Sequence, residues 1–269
     1  MKIYYLGELG AYSHIAGTIA KKNLGDNVEL INLPSFGDIW NSISVGSIGV
    51  VPIENSYAGS IHENLYNFLR YDFKIIGEIK LEINNCLISK ETDISKIKTV
   101  YSHHQALSQC YEFMKEYSIE GIKSSSTASA AKMVSESDER GIGAISSELS
   151  AEIYGLNILA KGIQDQKGNT TRFFIIAHKD EKIEYSDKKN KVTIVFEARN
   201  IPASLYKCLG SFATNSINLA KIESLPSLKD PFSYMFWLDF EGNLGEENVK
   251  EALKELQYFT KSLKILGEY

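Results

Sequence analysis

Residues 179–191 read Lys-Asp-Glu-Lys-Ile-Glu-Tyr-Ser-Asp-Lys-Lys-Asn-Lys, and nine of these thirteen side chains are charged. A stretch of this composition cannot bury itself, so it predicts a solvated linker. The linker divides the 269-residue chain into a larger segment, residues 1–178, and a smaller segment, residues 192–269. Because each segment is long enough to enclose its own hydrophobic core, the sequence predicts two domains.

The larger segment alternates short apolar runs with helical stretches. This alternation predicts an α/β fold built on a mainly parallel sheet with helices on its faces. Periodicity alone does not show whether the segment forms one lobe or two. The predicted strands are 2–6, 48–52, 73–83, 99–102, 142–145 and 171–177, and the predicted helices include 61–69 and 105–117.

The smaller segment has the order strand, helix, strand, strand, helix, strand. This order predicts an α+β ferredoxin-like βαββαβ plait. Such plaits commonly bind small ligands or form dimers, so the fold alone assigns no function. The predicted elements are 192–197, 203–215, 218–224, 234–240, a helix from about residue 246, and 263–266, with Pro226 and Pro231 in the loop between the two middle strands.

Composition excludes several classes of partner. The net charge of −5 provides no overall attraction to nucleic acid or to anionic membranes. No apolar run approaches the ~18–20 residues of a membrane-spanning helix, and the N-terminal run is too short for a signal peptide. Cys86, Cys110 and Cys208 lie far apart, which predicts reduced thiols rather than a disulfide or a zinc site. We therefore expect a cytoplasmic protein.

Three predicted strand-to-helix turns carry small hydroxylated residues, at 10–13, 55–60 and 124–129. A helix N-terminus offers unpaired N–H groups and a positive dipole end, and serine or threonine adds hydroxyl donors. In a doubly wound sheet such turns gather at the carboxyl ends of the strands, where ligands bind. Together with Arg172, they suit a small ligand that carries more than one carboxylate.

The pentapeptide Asn169-Thr170-Thr171-Arg172-Phe173 sets a hydroxyl beside a guanidinium at the entrance to an apolar strand. This pair suits an acid-assisted reaction on an anionic small molecule. Three simpler interpretations stay open. Asn169-Thr170-Thr171 fits an N-glycosylation acceptor, which would require secretion. Thr171 could be an ordinary strand residue, and Arg172 could form a surface ion pair.

Four longer stretches resemble signatures of the prephenate dehydratase family, and the resemblance extends from residue 7 to the C-terminus. His104 stands where the family usually has proline. The stretches are Gly-Val-Val-Pro-Ile-Glu-Asn-Ser-Tyr-Ala-Gly-Ser-Ile at 49–61, Ser-His-His-Gln-Ala-Leu-Ser-Gln-Cys at 102–110, Ser-Glu-Leu-Ser-Ala-Glu-Ile-Tyr-Gly-Leu at 147–156, and 163–173, which ends in Thr-Arg-Phe.

The resemblance implies a two-lobed catalytic region like a periplasmic binding protein, at residues 1–178, with the active site in the cleft. It implies conversion of prephenate to phenylpyruvate with no metal and no organic cofactor. In this reaction Thr171 would hydrogen-bond to the leaving hydroxyl or protonate it, Arg172 would anchor a carboxylate, and Phe173 would form an apolar wall. The substrate-binding residues would be Tyr12, Ser13, Glu54, Asn55, Ser56, Gly59, Gln105, Ser126 and Thr127.

The plait at 192–269 resembles an ACT regulatory domain, which in this family binds phenylalanine between the subunits of a homodimer or homotetramer. Ala203 and Leu225 depart from the residues usual there, glycine and arginine. Two alternatives to prephenate dehydration stay open, arogenate dehydration and a non-catalytic amino-acid sensor. The effector-binding residues implied are Ala203, Ser204, Leu205, Asn218, Leu219, Glu223 and Ser224.

Overall fold

A computed structural model gives the fold of residues 1–25, 27–185, 189–227 and 233–269. Residues 186–188 of the charged run and Pro231 of the predicted loop lie outside the described residues. The chain divides into two compact units. The first comprises Met1–Tyr71 and Ile79–His178, and the second comprises Asp72–Glu78 and Lys179–Tyr269.

The described residues form fifteen strands and nine α-helices, with one 3-10 turn at Ile94–Lys96. In chain order they are β1 (Lys2–Leu6), α1 (Tyr12–Leu24), β2 (Glu29–Leu33), α2 (Phe36–Ser42), β3 (Ser47–Asn55), β4 (Gly59–Ser60), α3 (His62–Arg70), β5 (Phe73–Glu82), β6 (Cys86–Ser89), β7 (Thr99–Ser102), α4 (His104–Gln109), α5 (Tyr111–Glu116), β8 (Glu120–Lys123), α6 (Thr127–Glu136), β9 (Ile142–Ser146), α7 (Glu148–Tyr154), β10 (Asn157–Lys161), β11 (Thr170–His178), β12 (Lys191–Ala198), α8 (Ser204–Thr214), β13 (Leu219–Pro226), β14 (Tyr234–Glu241), α9 (Glu247–Phe259) and β15 (Thr260–Glu268).

The first unit has two lobes, each built on its own sheet. One lobe has the strand order β2–β1–β3–β11, and the other has the order β10–β6–β9–β7–β8. The chain passes into the second lobe after β5 and returns to the first as β11, as the two-lobed interpretation requires. This return carries Thr171 to the end of β3.

Both sheets of the first unit are mixed, so the expectation of a mainly parallel sheet was wrong. β1 pairs in parallel with β2 and β3, and β7 pairs in parallel with β8 and β9. However, β11 runs antiparallel to β3, and β6 runs antiparallel to β9 and β10. The antiparallel pairs occur where the chain crosses between the lobes. Strand direction at these crossings is not encoded in the local apolar pattern.

β3 is the central strand of the first lobe, and its first seven residues are all buried. A continuous apolar run of this kind is typical of a strand covered on both faces. Its neighbours contribute Ile3 and Tyr5 from β1 and Phe174 from β11 to the same core, each at most 1% exposed. The strand that leads to the turn at Asn55 therefore lies in the buried centre of this lobe.

The second unit contains the predicted βαββαβ plait. Its strands follow the order β13–β14–β12–β15, and the adjacent pairs are antiparallel. Helices α8 and α9 pack against this sheet through a buried core that includes Phe196, Phe212, Leu238 and Leu256.

Most described residues of the charged run are exposed, as expected of a solvated linker, but two of its charged residues belong to the folded second unit. Glu181 is only 8% exposed, and Lys191 is the first residue of β12. The run finds opposite charges on the segment Asp72–Glu78, since Lys179 pairs with Asp72 and Lys191 pairs with Glu78. These partners lie more than a hundred positions earlier in the chain, so composition alone could not reveal them.

No helix in the described ranges is both long and apolar enough to cross a membrane. Cys86, Cys110 and Cys208 are all buried and free.

Hydrogen bonds connect the β1–α1 turn of the first lobe to the first turn of helix α7 in the second lobe. Two hydroxyls donate to the carbonyl of Gly10, Ser147 Oγ at 2.6 Å and Ser150 Oγ at 3.1 Å. Gly10 has a φ of +85°, and a Cβ atom built on it would lie 2.8 Å from Ser150 Cα. Glycine is therefore required twice here, for the backbone conformation and for the close approach.

We expect Gly10→Ala to destabilise the protein more than Gly46→Ala does. Gly46 has a similar φ of +88° but no atom within 4 Å of its built Cβ, so it isolates the conformational cost. The contact with α7 should cost Gly10→Ala a further ~1–3 kcal/mol of unfolding free energy. Urea denaturation of both variants measures this difference. If both variants lose the same free energy of unfolding, α7 moves away from the new methyl group at no cost, and the prediction is wrong.

Candidate active site

A cleft of about 270 Å³ lies between the two lobes of the first unit. Eight of the twelve residues predicted for catalysis and substrate binding line it. Four do not, namely Arg172, Glu54, Ser56 and Gly59. The eight are Thr171, Phe173, Tyr12, Ser13, Asn55, Gln105, Ser126 and Thr127.

Strand alternation separates the members of the Thr-Arg-Phe motif. Thr171 and Phe173 line the cleft from β11, whereas Arg172 between them does not. The Arg172 guanidinium lies 4.6 Å from the centre of the Phe174 ring, and its Nη1 is 3.9 Å from Glu54 Oε2. Arg172 thus forms the ion pair that was its alternative interpretation, although its side chain is only 11% exposed. Its role as a carboxylate anchor stays a prediction.

A β-bulge sets the position of Asn55 opposite Thr171. Arg172 pairs with Glu54 and Phe173 pairs with Pro52, so Ile53 is the extra residue on β3. Bulges often re-aim side chains beside functional sites. Asn55 Nδ2 donates to Thr171 Oγ1 at 3.1 Å, which ties the two strands together at the cleft.

Ser56 and Gly59 hold the turn that follows β3 rather than the cleft wall. Ser56 Oγ accepts a hydrogen bond from the backbone N–H of Thr170 at 3.0 Å. Gly59 pairs with Asn55 in the short strand β4. Both residues therefore support Asn55 from behind.

Two helix N-termini open onto the cleft. Ala11 precedes α1 and provides no side-chain cap, while Ser126 caps α6 through a capping box with Ser129. Tyr12, Ser13 and Thr127, from the first turns of these helices, line the cleft. None of the described lining residues is an aspartate, glutamate, lysine or arginine. The site therefore offers an anion hydroxyls, amides and helix dipoles instead of a fixed cation.

Tyr12 and Asn85 form one polar wall of the cleft. The single proton of the Tyr12 hydroxyl has two acceptors within reach, the carbonyl oxygen of Asn84 at 2.8 Å and Asn85 Oδ1 at 3.1 Å. Burial raises the pKa of Tyr12, so it stays neutral. Asn85 Nδ2 lies 3.7 Å from Cys110 Sγ, and burial raises the pKa of that thiol to about 12. Cys110 is therefore no nucleophile at neutral pH.

His103 lines the cleft at the start of α4, and the ring of His104 lies tilted against it, with ring centres 4.2 Å apart and an interplanar angle of 48°. His103 is the N-cap of this helix, and its Nδ1 accepts a hydrogen bond from the backbone N–H of Gln105 at 3.4 Å. Burial lowers the pKa of His103, and the adjacent His104 lowers it further. His103 is therefore neutral at pH 7.

Asn85, His103, Gln109 and Asn169 line the cleft but were absent from the predicted site. His103 and Gln109 lie in the stretch 102–110 and Asn169 opens the pentapeptide, so the motifs already contained them. Asn169 is 2% exposed and hydrogen-bonded through its side chain. Because a glycosylated asparagine must be accessible, the burial of Asn169 argues against the interpretation of Asn169-Thr170-Thr171 as an N-glycosylation acceptor.

No group of three or more histidine, cysteine, aspartate or glutamate side chains converges on a potential metal site within the described ranges.

The predicted effector residues lie in the second unit, in differing environments. Ser204 lines a pocket of about 250 Å³, and Ala203 before it is left-handed, with a φ of 58°. Glu223 pairs with Lys221 at 3.1 Å. The other four divide between the core and the sheet: Leu205 and Leu219 pack against the core, the Asn218 carbonyl accepts from the Glu241 N–H, and Ser224 pairs with Phe236.

Residues 3–181 match the prephenate dehydratase family model. The prephenate dehydratase of Methanocaldococcus jannaschii is 40% identical, over 99% of this chain and 97% of its own. The bifunctional chorismate mutase/prephenate dehydratase of Aquifex aeolicus is also 40% identical, over 100% and 73%. Arogenate dehydratase/prephenate dehydratase 1 of Arabidopsis thaliana is 38% identical, over 100% and 72%.

Several solved structures resemble the whole chain, among them the two that follow. Prephenate dehydratase of Arthrobacter aurescens, in complex with L-Phe, has a TM-score of 0.86 and 26% identity, covering 100% of this chain and 89% of its own. The protein GqqA, named as a novel type of quorum quenching acylase, has a TM-score of 0.87 and 28% identity, covering 100% and 97%.

Proposed function

The chain belongs to the prephenate dehydratase family, and from that premise we propose that its cleft converts prephenate to phenylpyruvate with Thr171 as the proton donor. The observation that carries this proposal is the position of the Thr171 hydroxyl. It lies in a cleft without charged lining side chains, onto which the N-termini of α1 and α6 open.

The reaction breaks two bonds of the substrate. The bond to one carboxylate breaks and releases carbon dioxide, and its electron pair becomes part of the aromatic ring. The ring hydroxyl then departs and takes up a proton to leave as water. Aromatisation provides the driving force, so the protein has to orient the substrate, hold its carboxylates and supply the proton.

Thr171 provides the hydrogen bond to the departing hydroxyl. A threonine hydroxyl is a weak acid, so we propose that it orients the leaving group and passes on a proton that comes from water. Phe173, Pro52 and Leu6 form an apolar wall of the cleft. A carboxylate held beside such a wall is poorly solvated, which favours its loss as neutral carbon dioxide.

The lining of the cleft favours prephenate over arogenate. Arogenate carries an ammonium group where prephenate has a keto oxygen, and an ammonium group moved out of water needs an anionic partner. The described lining has no carboxylate to serve as one. The same lining has several N–H and O–H donors, which suit the keto oxygen and the carboxylates.

An acylase reaction, as named for GqqA, requires an activated nucleophile. In the part of the chain that the structure describes, no serine or threonine hydroxyl of the cleft hydrogen-bonds to a histidine. A non-catalytic sensor, in turn, has no need of the Thr171 donor. The residues of the cleft therefore support dehydration better than they support an acylase reaction or a sensor without catalytic activity.

We also propose that the second unit is an ACT domain that binds phenylalanine. Its pocket places Phe236 and Tyr234 near Arg199 and Glu197, so it offers aromatic surface together with both signs of charge. A phenylalanine molecule needs all three features. The relative from Arthrobacter aurescens, whose structure contains L-Phe, supports this proposal.

We further propose that the protein forms a homodimer or a homotetramer. Tyr206 and Tyr258, on the helices of the plait, are 79% and 66% exposed. Aromatic residues are enriched at protein–protein interfaces, so these two tyrosines suit contacts between subunits. We propose a cytoplasmic location because free, buried cysteines fit a reducing compartment.

Thr171→Val should lower kcat for phenylpyruvate formation by about 10²–10⁴-fold, because valine keeps the shape of the β-branched side chain and removes the hydroxyl. Thr171→Ser, which keeps the hydroxyl, is the matched control and should retain most of the activity. A steady-state ultraviolet assay of phenylpyruvate measures both. Near-normal turnover by a folded Thr171→Val protein would exclude Thr171 as the donor.

The kcat/KM for prephenate should exceed that for arogenate by about tenfold to a hundredfold, since a desolvated charge without a partner costs ~1–3 kcal/mol. Gln105→Glu places a carboxylate in the lining and should shift this ratio toward arogenate. Parallel assays with both substrates test the point. A wild-type preference for arogenate would contradict it.

L-phenylalanine should raise the melting temperature of the protein and slow its turnover, because a ligand that binds only the folded state stabilises it. D-phenylalanine controls for nonspecific effects. Ser204→Leu fills the pocket and should remove the thermal shift. If L-phenylalanine changes neither the melting temperature nor the rate, the effector proposal is wrong.

A further inference from the structure

We infer that Asn169 is a positioning residue that sets the hydrogen-bond polarity of the cleft. Three side-chain amides, those of Asn55, Asn169 and Gln109, form a continuous chain along one wall. Their order of donors and acceptors leaves only donors facing the substrate, the Thr171 O–H and the Gln109 NH₂ group. This inference rests on the proposed function of the cleft.

The polarity of the chain begins at the backbone. Asn55 Oδ1 accepts from the N–H groups of Tyr57 at 3.1 Å and Ala58 at 3.0 Å. A backbone N–H can only donate, so this atom must be the oxygen and the other terminal atom of Asn55 must be the NH₂ group. The orientation of the first amide is therefore determined by the turn after β3.

The second step follows from the two protons on Asn55 Nδ2. One is directed at Asn169 Oδ1 at 2.6 Å and the other at Thr171 Oγ1 at 3.1 Å, while the Thr170 carbonyl is farther away at 3.5 Å. Thr171 Oγ1 is thus an acceptor toward Asn55, so its own proton is available for another partner. The described residues provide no acceptor for that proton, and Thr171 lines the cleft.

The third step passes through Asn169. Since its Oδ1 accepts from Asn55, its Nδ2 must donate, and it does so to Gln109 Oε1 at 2.9 Å. The Gln109 NH₂ group is then the end of that side chain left to donate, and Gln109 also lines the cleft. Asn169 is 2% exposed, so water cannot replace it in this chain.

The consequence is chemical. Prephenate presents two carboxylates, a keto oxygen and a departing hydroxyl, and each of them accepts hydrogen bonds. A wall that offers only donors stabilises all of these groups. A reversed Gln109 amide would place a carbonyl oxygen against them, and that contact would be repulsive.

Asn169→Asp tests the inference because it changes polarity with almost no change in shape. The ionised carboxylate cannot donate to Gln109 Oε1, so the Gln109 amide must turn over and present its oxygen to the cleft. We expect kcat/KM for prephenate to fall by about 10²–10³-fold at neutral pH. Protonation of the new carboxyl restores one donor and one acceptor, so activity relative to wild type should recover as pH falls.

The sign of the recovery follows from burial. An aspartate in this buried position favours its neutral form, so its pKa should lie above the usual ~3.9. The ratio of variant to wild-type kcat/KM should therefore rise as pH falls through that raised pKa. The rate of the enzyme-free reaction is subtracted at every pH. Asn169→Ala, which cannot regain a donor, should show no such rise.

Asn64→Asp is the matched structural control. Asn64 is also buried, accepts from Trp40 Nε1 at 3.0 Å and donates to the Pro52 carbonyl at 2.8 Å, but it does not line the cleft. This variant should lose stability, and its kcat/KM should follow the pH profile of wild type. Thermal denaturation shows which variants are folded at each pH.

If Asn169→Asp does not fold, Gln109→Glu tests the same inference, because it also places an acceptor oxygen on this wall of the cleft. The Asn169 amide can still donate to one oxygen of the new carboxylate, and the other oxygen then faces the cleft as an acceptor. The same loss at neutral pH and the same recovery at lower pH are expected. A loss without recovery, or no loss, overturns the inference, whereas wild-type protein inactive on prephenate would instead overturn the proposed function.

Discussion

The antiparallel pairing of β3 with β11 is the constraint on which the rest of the first unit depends. It brings Asn55 and Thr171 to hydrogen-bonding distance although they are 116 positions apart in the chain. The two strands contribute most of their residues to the buried core, so the pairing also determines the fold of the first lobe. The pairing that builds this lobe therefore also brings the two sides of the site together, and the bulge at Ile53 shifts the register beside them.

The described lining of the cleft contains no lysine or arginine, and the chemistry of the proposed dianionic substrate gives a reason for this arrangement. A cation paired to the departing carboxylate would stabilise the ground state, in which the charge is present, more than the transition state, in which it disperses. Helix N-termini and neutral hydrogen-bond donors hold a carboxylate less tightly than a cation does, and they distribute the electrostatic stabilisation over several atoms. An apolar wall at Phe173 then adds a bias toward loss of charge, so the absence of lysine and arginine from the described lining serves the reaction.

Local sequence patterns predicted the elements well and the pairings poorly. The continuous apolar run at β3 and the hydroxylated turns before α1 and α6 indicated a strand and a set of anion-binding helix starts. Strand direction was missed, since it depends on partners distant in sequence. The burial of Glu181 was missed for the same reason: the segment Asp72–Glu78, on which the charged run packs, lies far earlier in the chain.

In the pentapeptide 169–173, successive side chains point to opposite faces of the strand, so only every second residue lines the cleft. Asn169, Thr171 and Phe173 line the cleft, where the roles that we propose for them are to set polarity, to donate a hydrogen bond and to exclude water, respectively. Thr170 and Arg172 face away from it, and Arg172 stacks on Phe174 and pairs with Glu54 on β3. A buried guanidinium in this place stabilises the same β3–β11 ladder that aligns Asn55 with Thr171. The geometry therefore connects Arg172 to the strands that hold the site together, while its role as a carboxylate anchor stays a prediction.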